Sequence, residues 1–321
     1  MKGRRLAAFV GRRVVALAVL LLILSFVSFS LLYLSPGSPE RVLLGTRPAS
    51  PELLHALRVQ FHLDKSFLEQ YRLWLVSALH FDFGESVRTG RSVTAMISGQ
   101  LGVTAFLTAY AFVVAVGAGL PLGVLAAVRK RRASDRGIVG LAVLGVSAPS
   151  FVTGVVLLYF LAVRLGWFPT YGPGSGFADR FWHLTLPALA LALTAMALVV
   201  KLTRTAMVNA LEQDYVAFAL ARGVPMHRVL WRYALRNALV PIVTAAGSVV
   251  TIVLTGTILV ETTFSLPGLG TLLVSAVQDK DLPVLQAVSL LLAALIVLVN
   301  LAVDVLYTVV DPRIEFGKGR A

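Results

Sequence analysis

Residues 14–35 read VVALAVLLLILSFVSFSLLYLS, 22 residues without a charge between Arg13 and Pro36. A helix rises 1.5 Å per residue, so about 20 apolar residues cross the roughly 30 Å hydrocarbon layer of a bilayer. The same reading recurs five times along the chain. Ser92–Val128 is 37 residues, with the span itself expected near Leu101–Val128; Gly137–Val163 is 27 and Phe181–Val200 is 20, with His183 neutral. Asn237–Val260 is 24 and Leu282–Val303 is 22, after which the apolar run resumes past Asp304 to Val310. The expected fold is an all-α polytopic membrane protein with six transmembrane helices.

Composition points the same way. Of 321 residues 57% are apolar and 14% charged, against about 25% charged in soluble domains, and mean hydropathy is +0.83. The apolar content excludes disorder. The absence of cysteine excludes a disulfide scaffold, cysteine-ligated metal and thiol catalysis. Basic residues precede the first apolar run as in a signal peptide, but that run exceeds the roughly 7–15 residues of a signal core and no A-x-A site follows. It reads as a retained span.

The net charge of +13 would suit nucleic acid only if gathered on a soluble face. It is distributed instead by topology. With the N-terminus inside, 19 of the 29 Lys and Arg fall in inner segments with five acids, and the outer segments hold ten of each sign. Because Lys and Arg accumulate on the cytoplasmic side, both termini are expected in the cytoplasm, and no nucleic-acid partner is expected. The chain then divides into an N-terminal span (1–35), an extracytoplasmic helical loop (36–95), a transmembrane core (96–310) with a cytoplasmic segment at 201–237, and a cytoplasmic tail (311–321).

In the outer loop, Ser50-Pro51-Glu52 places a capping residue before Pro at the first helical position, followed by Leu53, Leu54, Leu57 and Phe61. Ser66 and Glu69 form a capping box opening a second helix with Tyr71, Trp74, Leu75 and Ala78 along one side. This hairpin reads equally as an interfacial element or a docking surface. The cytoplasmic segment reads as two helices, about Met207–Arg222 and Met226–Leu239. Gly223 supplies a terminating positive φ, and Pro225 suits the first turn of the second helix. Arg228, Arg232 and Arg236 recur every fourth residue. Such a helix fits anionic lipid headgroups or a groove on a cytoplasmic partner.

The series Asp214-Tyr215-Val216, Ala219, Ala221-Arg222-Gly223-Val224, Val229-Leu230, Ala234-Leu235-Arg236-Asn237-Ala238-Leu239 and Pro241 resembles the "EAA" loop of permease subunits in the bacterial dipeptide/oligopeptide (peptide/nickel-type) ABC importer family. Similarity extends over nearly the whole chain: Leu63-Asp64, Gln70-Tyr71, Phe83-Gly84-Glu85-Ser86 and Arg88-Thr89-Gly90; Pro121-Leu122-Gly123; Ala148-Pro149-Ser150-Phe151; His183-Leu184 with Leu186-Pro187-Ala188. It continues through Val260-Glu261-Thr262, Phe264-Ser265, Pro267-Gly268-Leu269-Gly270 and Asn300, Asp304, Tyr307, Asp311-Pro312-Arg313. Two positions depart from the family pattern: Leu220 stands where a basic residue is usual, and Arg222 where Lys is. The resemblance implies a type I ABC-importer core preceded by one extra N-terminal span, in a bacterial inner membrane. The implied partners are a second, similar permease, two ATP-binding subunits that hold ATP and Mg, and an extracytoplasmic substrate-binding protein. It further implies alternating access coupled through the loop around Gly223, with Asp214, Ala219, Arg222, His227, Arg228, Trp231 and Arg232 as the ATPase-contacting set. Peptide is the expected substrate.

No catalytic constellation is visible. The five histidines are scattered, and no phosphate loop of the G-x-x-x-x-G-K-[ST] type exists, so the chain reads as a non-enzymatic transport subunit that binds no cofactor or metal itself. Gly172-Pro173-Gly174-Ser175-Gly176 lacks nucleophile-elbow spacing and reads as a flexible outer turn. Asp304 is the one acid inside an apolar run. With Asn300, Tyr307 and Asp311 it falls on one helix face. An ion-coupled secondary transporter using Asp304 is the alternative function, but it predicts inverted repeats and broken midplane helices that the sequence does not display. A polar packing contact is the preferred reading of Asp304. A membrane-embedded hydrolase would need a paired nucleophile and base, which are absent. The resemblance places Glu261, Phe264, Pro267, Gly268 and Gly270 at the outer mouth of the pathway, which makes them a gate candidate; read from the residues alone they equally form a plain turn leading into a short helix at Thr271–Val277. Gly117, Gly119, Gly123 and Gly247 read as packing residues between helices.

Overall fold

The computed structural model describes residues 2–34, 39, 50–60 and 62–310. The described chain is helical apart from turns and one isolated bridge, Glu85–Ser92. In order the helices are α1 (Lys2–Leu34), α2 (Pro51–Gln60), α3 (Phe67–Leu79), α4 (Val93–Val128), α5 (Ala133–Ser147), α6 (Ser150–Arg164), α7 (Phe177–Leu211), α8 (Asp214–Ala221), α9 (Met226–Thr263), α10 (Leu269–Asp279) and α11 (Leu282–Val310).

Five helices are each long and apolar enough to cross a membrane: α1, α4, α7, α9 and α11. The remaining expected span, Gly137–Val163, is not one rod. It is the pair α5 and α6, bent by 102°, and counting that pair as one span brings the number to six. Ala148 is extended (φ −100°, ψ 129°) and Pro149 sits at the N-cap of α6, as expected where a proline forces its predecessor out of the α region. Pro121, Pro187 and Pro241 lie inside continuous helices, so a proline in an apolar run does not by itself break the helix.

The span of α7 is 61% buried and that of α1 only 11%, which puts α7 at the centre of the bundle and α1 at its edge. Leu184, Leu186, Leu191, Ala195 and Val199 of α7 pack with Leu107, Ala111 and Ala115 of α4 and Val249, Val253 and Val260 of α9. A Cβ on Gly119 would meet Val199 at 2.9 Å, on Gly123 Thr203 at 2.6 Å, and on Gly247 Val303 at 2.5 Å, so these three glycines admit close helix approach. Gly117, expected to do the same, has nothing within 4 Å; it lies on the face of α4 turned away from α7.

The outer-loop helix α3 does not lie free. Its expected face, with Tyr71 and Trp74, packs edge-on or tilted against Phe26 and Phe29 of α1, and Phe67 packs edge-on against Tyr33; the Ser25 and Tyr71 hydroxyls are 2.8 Å apart. Ser66 is the N-cap of α3, but its side chain makes no capping bond, and Glu69 pairs instead with Lys65 at 3.2 Å. The tail 311–321 and the side chains of Leu53, Leu54, Leu57, Phe61, Asp304 and Tyr307 lie outside the described residues.

Candidate functional site

Two clusters of expected site residues fold into contrasting sites at opposite ends of α9. At one end basic residues predominate. Here α7 runs on to Leu211, past the expected boundary near Met207, and breaks at Glu212–Gln213 before the eight-residue α8. Arg222 closes α8, and Gly223 adopts φ +78°. The Val224 N–H donates to the Ala219 carbonyl at 3.1 Å and the Gly223 N–H to Leu220 at 2.9 Å, the bonding pattern of a glycine-terminated helix. Pro225 takes the N-cap of the next helix. That helix does not stop near Leu239: it is continuous from Met226 to Thr263, with a π-helical turn at Val229–Ala234.

The turn is held from beneath and open above. Val216, Ala219 and Val229 are buried together against Leu211 and Val224, and Asn237 donates from its side-chain amide to the Tyr215 hydroxyl at 2.8 Å, tying α8 to α9. Ala219 is thus turned inward, whereas Asp214, Arg222, His227, Arg228, Trp231 and Arg232 are exposed. Phe218 is 70% and Trp231 73% exposed, and Leu220 and Met226 are also open. A row of apolar side chains flanked by arginines is an unsatisfied surface at this end of the molecule. Sequence reasoning missed its anchor. Asp135, buried, accepts Arg204 Nε at 2.6 Å and Nη2 at 2.8 Å, and also the Arg131 N–H at 2.8 Å. With the neighbouring Lys130–Glu212 pair, this fork fixes the 129–136 turn to the end of α7. The one prior signal was an acid alone in a run of five basic residues.

At the other end the gate candidates form a closed cap. The Glu261 carboxylate, fully buried, accepts the Thr104 hydroxyl at 2.7 Å, the Gly270 N–H at 2.7 Å and the Thr271 N–H at 3.4 Å. Thr104 in turn accepts the Leu269 N–H at 2.8 Å. Glu261 therefore occupies the N-terminus of α10, where free N–H groups and the helix dipole favour negative charge. A Cβ on Gly268 would overlap that carboxylate, and one on Gly270 would lie 2.5 Å from Ile258 Cα. Phe264 is buried and Pro267 exposed. The helix following this turn runs from Leu269 to Asp279, longer than the expected 271–277.

The far end of α10 is tied down similarly. Asp281, buried, accepts the Ser86 hydroxyl and the N–H groups of Val87 at 3.4 Å and Arg88 at 3.3 Å. The Phe83–Ser86 motif is thereby joined to the α10–α11 turn. In the Gly172–Gly176 turn the Ser175 N–H donates to the Asp179 carboxylate at 2.6 Å. Asn300 is exposed on α11. No cluster of three or more His, Cys, Asp or Glu able to hold a metal occurs among the described residues.

Comparison with known proteins fits this arrangement. Residues 119–316 match the family described as "Binding-protein-dependent transport system inner membrane component", and residues 6–108 match its N-terminal companion. A peptide transport permease of Brucella abortus is 38% identical over 97% of this chain and 100% of its own length. The oligopeptide transport system permease AppB of Bacillus subtilis is 37% identical over the same shares. Among solved structures, the inward-facing MetNI methionine ABC transporter superimposes with a TM-score of 0.58 at 19% identity, covering 67% of this chain and 96% of that one; at that identity the likeness is one of fold. The chain belongs to the binding-protein-dependent transport system inner membrane components, as a non-catalytic permease subunit of an ABC importer.

Proposed function

We propose that this chain is one of two permease halves in an ATP-driven peptide importer, and that the turn at Arg222–Pro225 couples it to the ATPases. The peptide assignment rests on the names of relatives matched over their full length. In this reading both termini and the basic end face the cytoplasm. Two ATP-binding subunits hold ATP and Mg and seat the turn in their grooves, a second permease completes the pathway, and a substrate-binding protein delivers peptide to the end carrying α10. A ligand or partner shifts a conformational equilibrium only through contacts that differ between states. A turn wedged into a moving partner supplies such contacts.

The observation that carries the proposal is the turn itself. Gly223 holds a positive φ above a small core, while Phe218, Leu220 and Met226 are left exposed beside it. Gly223→Val strains that backbone and adds bulk at the tip. Reconstituted complexes of this variant are expected to insert at near-normal abundance, lose at least tenfold in ATP-dependent peptide uptake, and retain less ATPase on pull-down or stimulate it less. Ser134→Val, beside the other basic turn, is the matched control and keeps both. Normal uptake and normal ATPase pull-down by Gly223→Val would overturn the coupling role.

A further inference from the structure

We propose that Arg232 and Arg236, with Trp231 beside them, form a binding face for the phosphate of anionic phospholipid headgroups, distinct from the coupling turn. The argument begins with depth. Arg236 immediately precedes the 24-residue uncharged stretch Asn237–Val260, which is about 36 Å long as a helix against a hydrocarbon layer of roughly 30 Å and a headgroup layer of about 5–8 Å on each side. The helix is unbroken from Met226 to Thr263, so position along it reports height. At the average membrane-helix tilt of about 20° the stretch spans about 34 Å, so Arg236 lies about 2 Å outside the hydrocarbon edge and Arg232 about 7–8 Å outside it, at headgroup level, while Arg228 lies about 13 Å out and clears the layer.

The second argument is alignment. In a regular α-helix residues four apart drift by about 40° per step around the axis. The π-helical turn at Val229–Ala234 accommodates more residues per turn, so over the step from Arg232 to Arg236 it offsets most of that drift and leaves the two on nearly the same side of the helix.

The third is availability. Arg228, Arg232 and Arg236 are exposed, and none is paired with an acid among the described residues. Of the acids described at the same end, Asp135 and Glu212 are engaged by Arg204 and Lys130, and the exposed Asp214 forms no ion pair with these arginines among the described residues. Guanidinium groups match phosphate oxygens with paired donors. Trp231, 73% exposed, has the amphipathic ring that settles at headgroup level. The proposal needs only the membrane placement of α9, not the ATPase contact.

The test uses the full chain in phosphatidylcholine nanodiscs, with Trp231 emission isolated by difference from Trp231→Phe. Brominated phosphatidylglycerol should quench that emission at a several-fold lower mole fraction than brominated phosphatidylcholine, on the basis of about fivefold preference per interfacial arginine. The preference should shrink in high salt. Arg232→Gln/Arg236→Gln should abolish it, while Arg222→Gln, beyond the headgroup layer, should retain it. Equal quenching by the two lipids, or an unchanged preference in the double variant, would overturn the proposal. So would emission indifferent to both lipids together with loss of ATPase pull-down in the double variant, which would assign this face to the protein partner. Because no ATPase is present in the discs, a negative lipid result leaves the coupling role standing, and a failed coupling test leaves this one standing.

Discussion

Gly223 and Gly270 mark turns at opposite ends of α9, and they are glycines for different reasons. At Gly223 the backbone is left-handed and there is nothing within 4 Å of where a Cβ would stand. At Gly270 φ is not positive, but a Cβ would lie 2.5 Å from Ile258 Cα and 2.9 Å from the Glu261 carboxylate. One end specifies a chain path and leaves its surface unfilled; the other is filled to contact, with its polar groups bonded internally. A motif rich in glycine therefore does not announce mobility. The region expected to form a gate is the more tightly built of the two, and the open surface lies at the turn beside α8.

That contrast can be broken by identical chemistry at both sites. The largest effect is expected for Gly270→Ala. The obstructing atom is backbone and cannot swing aside, so the cost should reach or exceed about 3 kcal/mol, read as a collapse of folded protein in detergent melting. Glu261→Ala comes next. It leaves the Gly270 N–H and the Thr104 hydroxyl without their acceptor, at about 1–3 kcal/mol, and should lower the melting temperature while leaving ATPase pull-down intact. Gly223→Ala should cost only about 1–2 kcal/mol of left-handed strain. Gly223→Asn should cost less still, since Asn tolerates that conformation, and uptake should fall in the order Gly, Asn, Ala. A Gly270→Ala protein as stable as its parent, or a Gly223→Ala protein that fails to fold, would erase the distinction.

The two ends were also unequally legible in the sequence. Charge-free runs located the spans because desolvating a charge is costly wherever in the chain it occurs. The turn at Gly223 was readable because cap, glycine and proline act on their own neighbours. The bend at Ala148–Pro149 had a local signal as well, but Pro121, Pro187 and Pro241 carry the same signal inside unbroken helices, and only packing distinguishes them. The partners of Glu261 and Asp135 could not be read at all. Thr104 lies 157 residues from Glu261 and Arg204 lies 69 from Asp135, and pairings at such distances depend on how helices cross, which no short window encodes. Gly117 failed as a packing residue for that reason: small side chains permit close approach without saying which face of the helix receives it.

The continuity of α9 has a mechanical consequence. Its 38 residues make a rod of about 57 Å, with Met226 three residues from the Gly223 turn and Glu261 near the opposite tip. On a lever of that length each degree of tilt about one end carries the other through about 1 Å, so a rocking of a few degrees equals the diameter of a water molecule. The rod is least stiff at the π-helical turn and at Pro241, both within its first sixteen residues; the long arm from there to the Glu261 cap would swing as one piece.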